Sequence, residues 1–131
     1  MTVSKTRLLA GQQQLLRLDK EESFTKEEWL LTKKLFSHKL KNFDAVILSD
    51  YGKGTLLDIP FLIKESNKRK IPVFIDPKGN NFSKYKGAYI ITPNLQEFST
   101  EVGGVSSEQD LNNKAKRLMR RLSLEALLIT R

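Results

Sequence analysis

Short apolar runs alternate along the chain with segments of helical periodicity, and this alternation constrains the fold more than any other feature. The runs are rich in β-branched residues and end at polar or turn-forming residues, as strands do. Because their apolar residues do not alternate with polar ones, we expect strands that are buried on both faces. Strands that alternate with helices predict a mostly parallel sheet covered by those helices, which is an α/β fold. The runs are residues 45–48, 73–75, 88–91 and 126–129.

Helix-start signals lie between these runs. Thr25 and Glu28 have the spacing of a capping box, so they predict the start of a helix. A second helix is predicted from residue 58 to about residue 69, and a third is predicted to begin at residues 106–109. Together with the apolar runs, these helices complete the alternating pattern.

The first part of the chain is predicted to be extended rather than helical. Residues 6–19 contain leucine pairs on either side of Gly11, which we expect to form a bend or a bulge. Within the first predicted helix, Trp29 is expected in the core. His38 is expected to be exposed, because it lies among lysines and has no second histidine to form a metal site.

Composition excludes several classes of function. The chain has 131 residues, which predicts one domain, and it has no cysteine and a single histidine. It therefore has no disulfide scaffold, thiolate zinc site or cysteine nucleophile. Its apolar runs are far shorter than the ~20 residues of a membrane helix, and it starts without a signal peptide, so we expect a cytoplasmic protein. The net charge of +8 favours polyanions or phosphorylated small molecules as ligands.

Polar groups follow three of the predicted strands directly. Parallel sheets bind ligands at the carboxyl ends of their strands, so we expect these groups to converge at one edge. Lysine neutralises phosphate oxygens, and carboxylate and amide oxygens hold magnesium, often through water. The pattern therefore fits a phosphate-and-magnesium site. The groups are Asp50 and Lys53, then Asp76 and Lys78, then Thr92, Asn94 and Glu97.

Each of these groups also has a purely structural interpretation. Asn94 and Glu97 have the spacing of a helix cap, a role that does not exclude metal binding. Residues 76–79 have the composition of a simple turn, and residues 51–54 that of a glycine-bearing loop without a ligand. The basic residues of the predicted helices have the pattern of solvated helix faces.

In combination, three segments resemble the PfkB, or ribokinase-like, family of carbohydrate kinases. The segments are SDYGKG, IPVFIDPKG and YKGAYIITPNLQEF, in this order. The opening KTRLLAGQQQLLRLD narrows the resemblance to heptose 7-phosphate kinases that are joined to a heptose 1-phosphate adenylyltransferase. This resemblance implies a partial three-layer α/β/α core with a short extended lid segment. Residues 1–24 would form the lid side and residues 25–131 the core piece.

The resemblance also implies an activity and a set of binding residues. The activity is ATP-dependent phosphorylation of D-glycero-β-D-manno-heptose 7-phosphate at its anomeric hydroxyl, on the route to ADP-heptose and the lipopolysaccharide core. It would use Mg²⁺, and the protein would form a homodimer through the lid segment. Matching the family's motifs assigns Asn94, Glu97, Asp76 and Lys78 to ATP and magnesium, the metal being held by Asn94 and Glu97 through water. It assigns Asp50 and Lys53 to the sugar, and Lys5, Arg7 and Gln14 to the sugar phosphate or the partner subunit.

The sequence departs from the family at one essential point. The family's catalytic base is an aspartate in a Gly-x-Gly-Asp segment, and these 131 residues contain no such segment. Gly103 and Gly104 are not followed by an aspartate and come too early in the order. We therefore expect an internal piece of a kinase that has no catalytic base of its own and is inactive alone. The alternatives are a piece of another PfkB sugar kinase, a basic nucleic-acid-binding module that uses residues 114–121, and a remnant without function.

Overall fold

The computed structural model describes residues 4–20, 25–52 and 56–131, and it contains two separate sheets. The first is a two-stranded antiparallel hairpin of β1 (Ser4–Ala10) and β2 (Gln13–Lys20). The turn between them places Gly11 at a φ of 59°, a conformation that glycine adopts without steric cost. The extended segment and the bend at Gly11 are thus confirmed.

The second sheet has four parallel strands in the order β3-β4-β5-β6, which confirms the predicted α/β architecture. Because neighbouring strands are parallel, all four carboxyl ends meet at one edge. We call this edge the rim; it comprises residues 49–52, 76–79, 92–97 and 130. The strands are β3 (Val46–Ser49), β4 (Val73–Asp76), β5 (Ile90–Ile91) and β6 (Ala126–Leu127).

Within the described residues, four α-helices accompany the sheet, one more than the periodic pattern alone predicts. The additional helix, α3, is short and starts at the Asn94 cap, so the capping interpretation of Asn94 and Glu97 is confirmed. Short 3₁₀ turns occupy Leu40–Asn42 and Phe82–Tyr85. The α-helices are α1 (Lys26–Lys39), α2 (Ile59–Lys68), α3 (Leu95–Val102) and α4 (Glu108–Leu122).

Side-chain caps define where the helices start. Thr25 and Glu28 form the predicted capping box, in which each side chain accepts a hydrogen bond from the backbone N–H of the other residue. At the start of α2, the Asp58 carboxylate accepts from the Phe61 N–H at 3.0 Å and from Lys33 Nζ of α1 at 2.5 Å. Asp58 therefore satisfies an otherwise unpaired helical N–H and also links α1 to α2.

The hydrophobic core lies on one face of the parallel sheet. Side chains from all four helices join a single cluster with the inward-facing strand residues, and Trp29 belongs to it, as predicted. The expectation that the strands are buried on both faces is wrong for the described residues, because Leu48 is 5% exposed whereas its neighbour Ile47 is 79% exposed. The helices that the structure describes all contribute to the same side. None of them is both long and apolar enough to cross a membrane.

Candidate active site

Backbone hydrogen bonds join neighbouring strand ends at the rim. The Asp50 N–H donates to the Asp76 carbonyl at 2.9 Å, and the Thr92 N–H donates to the Ile75 carbonyl at 2.9 Å. Thr130, which sequence reasoning did not single out, donates to the Pro93 carbonyl at 3.0 Å. The polar residues that follow the strands therefore form one continuous edge, as the parallel topology predicts.

Asp50 lies at the floor of the rim, with a carboxylate that is held by three donors. The Gly52 N–H lies 2.8 Å from it, Lys84 Nζ 2.6 Å and the Tyr85 hydroxyl 2.8 Å. Burial raises the pKa of Asp50, but the hydrogen bonds from Lys84, Gly52 and Tyr85 outweigh burial and leave that pKa below its ordinary value of 3.8. Asp50 is thus a buried, fully partnered anion.

The last residue of β4 and the segment after it present a carboxylate and an ammonium to solvent. Asp76 is exposed and accepts from the Ser49 hydroxyl at 3.3 Å. Lys78 Nζ lies 3.6 Å from a carboxylate oxygen of Glu97, and the Lys78 side chain is 59% exposed. An exposed ammonium beside one carboxylate, at the carboxyl end of a parallel sheet, is suited to a phosphorylated ligand.

Asn94 and Glu97 form a reciprocal capping box at the start of α3. Asn94 Oδ1 accepts from the Glu97 N–H at 2.8 Å, and Glu97 Oε2 accepts from the Asn94 N–H at 3.0 Å. The second oxygen of Glu97 faces Lys78. These oxygens are hard ligands of the kind that Mg²⁺ prefers. Because they also accept the cap hydrogen bonds, they suit contacts with Mg²⁺ through water better than coordination by protein groups alone. In the described part of the chain, no three acidic or histidine side chains form a ready-made metal cluster.

The remaining predicted site residues lie elsewhere. Lys5, Arg7 and Leu9 are two residues apart along β1, so they lie on the same face of the hairpin. Gln14 lies on that face as well, because it pairs with Leu9. Lys5, Arg7 and Gln14 therefore share one face of the hairpin, which is a different sheet from that of the rim. Lys53 lies outside the described residues.

Sequence reasoning gave no role to two residues that lie against the rim, namely Lys84 and Tyr85. They contact Asp50 from 34 and 35 positions further along the chain. No spacing rule links residues so far apart. The available signal was chemical, because a buried aspartate needs cationic or hydrogen-bonding partners, and a buried tyrosine needs a partner for its hydroxyl.

Relatives of known sequence match almost the whole chain. The bifunctional protein HldE of Aeromonas hydrophila is 48% identical over 130 residues, which is 99% of this chain and 27% of that protein. HldE of Haemophilus influenzae is 46% identical over 132 residues, again 99% of this chain and 27% of that protein. The chain thus spans about a quarter of the length of these relatives. No protein-family model matches it.

Solved structures of sugar kinases share the fold. A mutant of phosphofructokinase-2 from Escherichia coli superimposes with a TM-score of 0.66 at 14% identity, over 97% of this chain and 43% of that one. The tetrameric inhibited form of the same enzyme gives a TM-score of 0.64 at 17% identity, with the same two coverages. The chain is thus similar in sequence to about a quarter of bifunctional protein HldE, and it shares the fold of solved phosphofructokinases.

Proposed function

We propose that this chain is the part of a heptose 7-phosphate kinase that holds ATP, magnesium and one side of the sugar phosphate. The enzyme transfers the γ-phosphoryl group of ATP to the anomeric hydroxyl of D-glycero-β-D-manno-heptose 7-phosphate. The observation that carries this proposal is the rim itself, where Asp76, Lys78, Asn94 and Glu97 come together at the carboxyl ends of parallel strands. The 48% identity to HldE, over nearly the whole chain, supports a role in heptose biosynthesis.

Phosphoryl transfer requires positioning and charge neutralisation more than covalent help from the protein. In this proposal, Lys78 neutralises phosphate oxygens, Asn94 and Glu97 would hold Mg²⁺ through water, and Asp76 belongs to the same site for ATP and magnesium. Bound Mg²⁺ supplies further neutralisation of the ATP phosphates. Asp50 and Lys53 are assigned to the sugar. Asp50 lies at the floor of the rim, where three donors hold its carboxylate in place.

The hairpin completes the proposal in two ways. Its polar face, with Lys5, Arg7 and Gln14, is assigned to the sugar phosphate. Its other face carries exposed leucines and is assigned to a second copy of the chain, because a lone two-stranded hairpin is marginally stable in water. The leucines of this face are Leu8, Leu16 and Leu18. The proposal places the protein in the cytoplasm, where ATP and sugar phosphates are found.

The isolated 131 residues are proposed to bind ligands without turning them over, because they contain no Gly-x-Gly-Asp segment to supply a base. Phosphorus NMR of the chain with Mg²⁺, ATP and heptose 7-phosphate tests this. Selective broadening of the ligand signals without a new resonance is the expected result. A growing sugar bisphosphate signal would support the kinase and overturn the inactivity. No broadening and no turnover would overturn the binding proposal.

The role of Glu97 can be separated from its role in the helix cap. Glutamine is also a capping-box residue, so Glu97→Gln should retain the cap of α3 while removing the charge beside Lys78. We expect the affinity for Mg²⁺-ATP to fall about tenfold, which corresponds to ~1.4 kcal/mol, with little change in melting temperature. Isothermal titration calorimetry measures the affinity.

Glu28→Gln is the matched control, because Glu28 occupies the same position in the capping box of α1. This variant should bind Mg²⁺-ATP as the unaltered chain does. If both variants lose the same affinity, or neither loses any, Glu97 has no part in binding the nucleotide.

A further inference from the structure

We propose that Tyr85 is a positioning residue of this site, which orients the Lys78 ammonium toward a ligand phosphate by way of the Lys78 backbone. The proposal rests on the kinase function above and assigns a role to a residue that lies at the start of a matched segment but received no role from it. Tyr85 is completely buried beneath the rim. Its hydroxyl accepts a hydrogen bond from the Lys78 N–H at 3.1 Å and lies 2.8 Å from the Asp50 carboxylate.

The Tyr85 hydroxyl has one proton and two acceptors within reach. Asp50 Oδ2 lies at 2.8 Å and the Lys78 carbonyl at 3.3 Å. A carboxylate is the stronger acceptor, so the proton is donated to Asp50. The oxygen of the same hydroxyl then accepts the hydrogen bond from the Lys78 N–H. Tyr85 therefore links Lys78, which follows β4, to Asp50, which follows β3.

The turn that carries Tyr85 is itself held in place from the other side. The Phe82 N–H donates to Glu101 of α3 at 3.0 Å, and Glu101 is paired with Arg121 of α4. The Phe82–Tyr85 turn is therefore attached to the helical layer at its start and to Asp50 at its end. This makes Tyr85 a rigid support for the exposed segment that follows β4.

Lys84 and Lys78 have different roles in balancing the charges around Tyr85. Lys84 Nζ lies 2.6 Å from Asp50, so its charge is used to balance a buried carboxylate. Lys78 is more exposed and lies at the longer distance of 3.6 Å from Glu97, so its ammonium can move to an incoming phosphate. Removing the Tyr85 hydroxyl leaves every one of these charges in place, and it takes away the acceptor of the Lys78 N–H and one of the three donors to Asp50.

Tyr85→Phe tests the proposal, and Tyr89→Phe is the matched control because Tyr89 lies partly exposed, away from Asp50. Mg²⁺-ATP affinity is measured by calorimetry, well below the melting temperature of each variant. We expect Tyr85→Phe to weaken binding about fivefold and to speed hydrogen exchange of the Lys78 N–H at least tenfold. Tyr89→Phe should change neither quantity.

A double-mutant cycle with Lys78→Ala distinguishes positioning from general support of the fold. If Tyr85 acts through Lys78, Tyr85→Phe costs no further affinity once Lys78 is alanine. An equal loss in both backgrounds, or no loss at all, would overturn the proposal. If the unaltered chain binds no Mg²⁺-ATP, the kinase proposal fails, and the positioning role is then tested by hydrogen exchange of the Lys78 N–H alone. Unchanged exchange in Tyr85→Phe would overturn the positioning role, and faster exchange would support it.

Discussion

Single residues at the rim show how a buried charge is tolerated. A buried carboxylate without partners is expensive, whereas one that is hydrogen-bonded and paired is stable. Asp50 satisfies this condition with a backbone N–H, an ammonium and a phenol. Burial raises the pKa of Tyr85, and the neighbouring Asp50 raises it further, so its hydroxyl stays protonated and able to donate. The two residues thus hold each other in complementary protonation states.

Asp50 should make the stability of the chain sensitive to acid. Because its pKa in the folded chain lies below the ordinary 3.8, its ion pair stabilises the fold above about pH 4. That contribution is lost as the pH falls through the lowered pKa. Asp50→Asn should cost about 3 kcal/mol at pH 7 and give a flatter acid dependence.

Urea unfolding between pH 2 and pH 7 measures this effect. Lys84→Met is the complementary variant, because it removes the cation that lies 2.6 Å from Asp50. Its acid transition should move to higher pH. Acid profiles of Asp50→Asn that run parallel to those of the unaltered chain would show that Asp50 is not the group responsible.

Two helices begin with the same capping motif, but only one of these motifs lies at the candidate site. The capping boxes of α1 and α3 have the same pattern of reciprocal hydrogen bonds. Only the second lies at the carboxyl ends of the parallel strands, where its glutamate faces Lys78. A capping motif therefore predicts where a helix begins, and its position in the sheet decides whether it also serves a site.

The hairpin should mediate self-association through one face only. Leu8 pairs directly with Leu16, so both lie on the same face, whereas Leu9 lies on the face of Arg7. Leu16→Glu should weaken dimerisation at least tenfold, because burying a leucine contributes about 1.5–3 kcal/mol and a carboxylate resists burial. Leu9→Glu, at a comparably exposed position, is the control and should leave dimerisation unchanged.

Sedimentation velocity over a range of protein concentrations measures this association. A monomer at every concentration would refute the homodimer, and an equal effect of the two glutamates would refute the assignment of the face.

At the scale of the molecule, the parallel sheet has one packed face and one open face among the described residues. The packed face joins all four helices in a single cluster. On the open face, Ile47 and Phe74 pair across β3 and β4, and Phe74 packs edge-on against Tyr89. The strands are apolar on both faces, yet the described helices cover only one of them.

The two faces should differ sharply in their contribution to stability. Ile75 is 1% exposed and Ile47 is 79% exposed, so the same substitution can be made on each face. Ile75→Ala should lower the free energy of unfolding by about 3 kcal/mol, as buried isoleucine truncations do. Ile47→Ala should change it by less than about 0.5 kcal/mol. Urea denaturation compares them, and equal losses would mean that Ile47 is covered in solution.

Local chemistry was enough to predict the elements of this protein and the edge where its polar groups meet. Caps at Thr25 and Asn94, the helical periodicity and the β-branched runs all act over a few residues, so they can be read from the sequence. Parallel topology then carries Asp50, Asp76 and Asn94 to the same edge. The hairpin turn at Gly11 belongs to the same class of short-range signals.

Tertiary structure alone decided which side chains touch and which face of the sheet is packed. Lys84 and Tyr85 reach Asp50 because a 3₁₀ turn folds back beneath the rim, and no short-range pattern encodes a contact over 34 residues. Apolar strand residues predicted burial on both faces, but burial depends on whether another layer is present to cover them. The face shared by Lys5, Arg7 and Gln14 likewise depends on the register of β1 against β2, and that register includes an irregularity between Leu8 and Leu9.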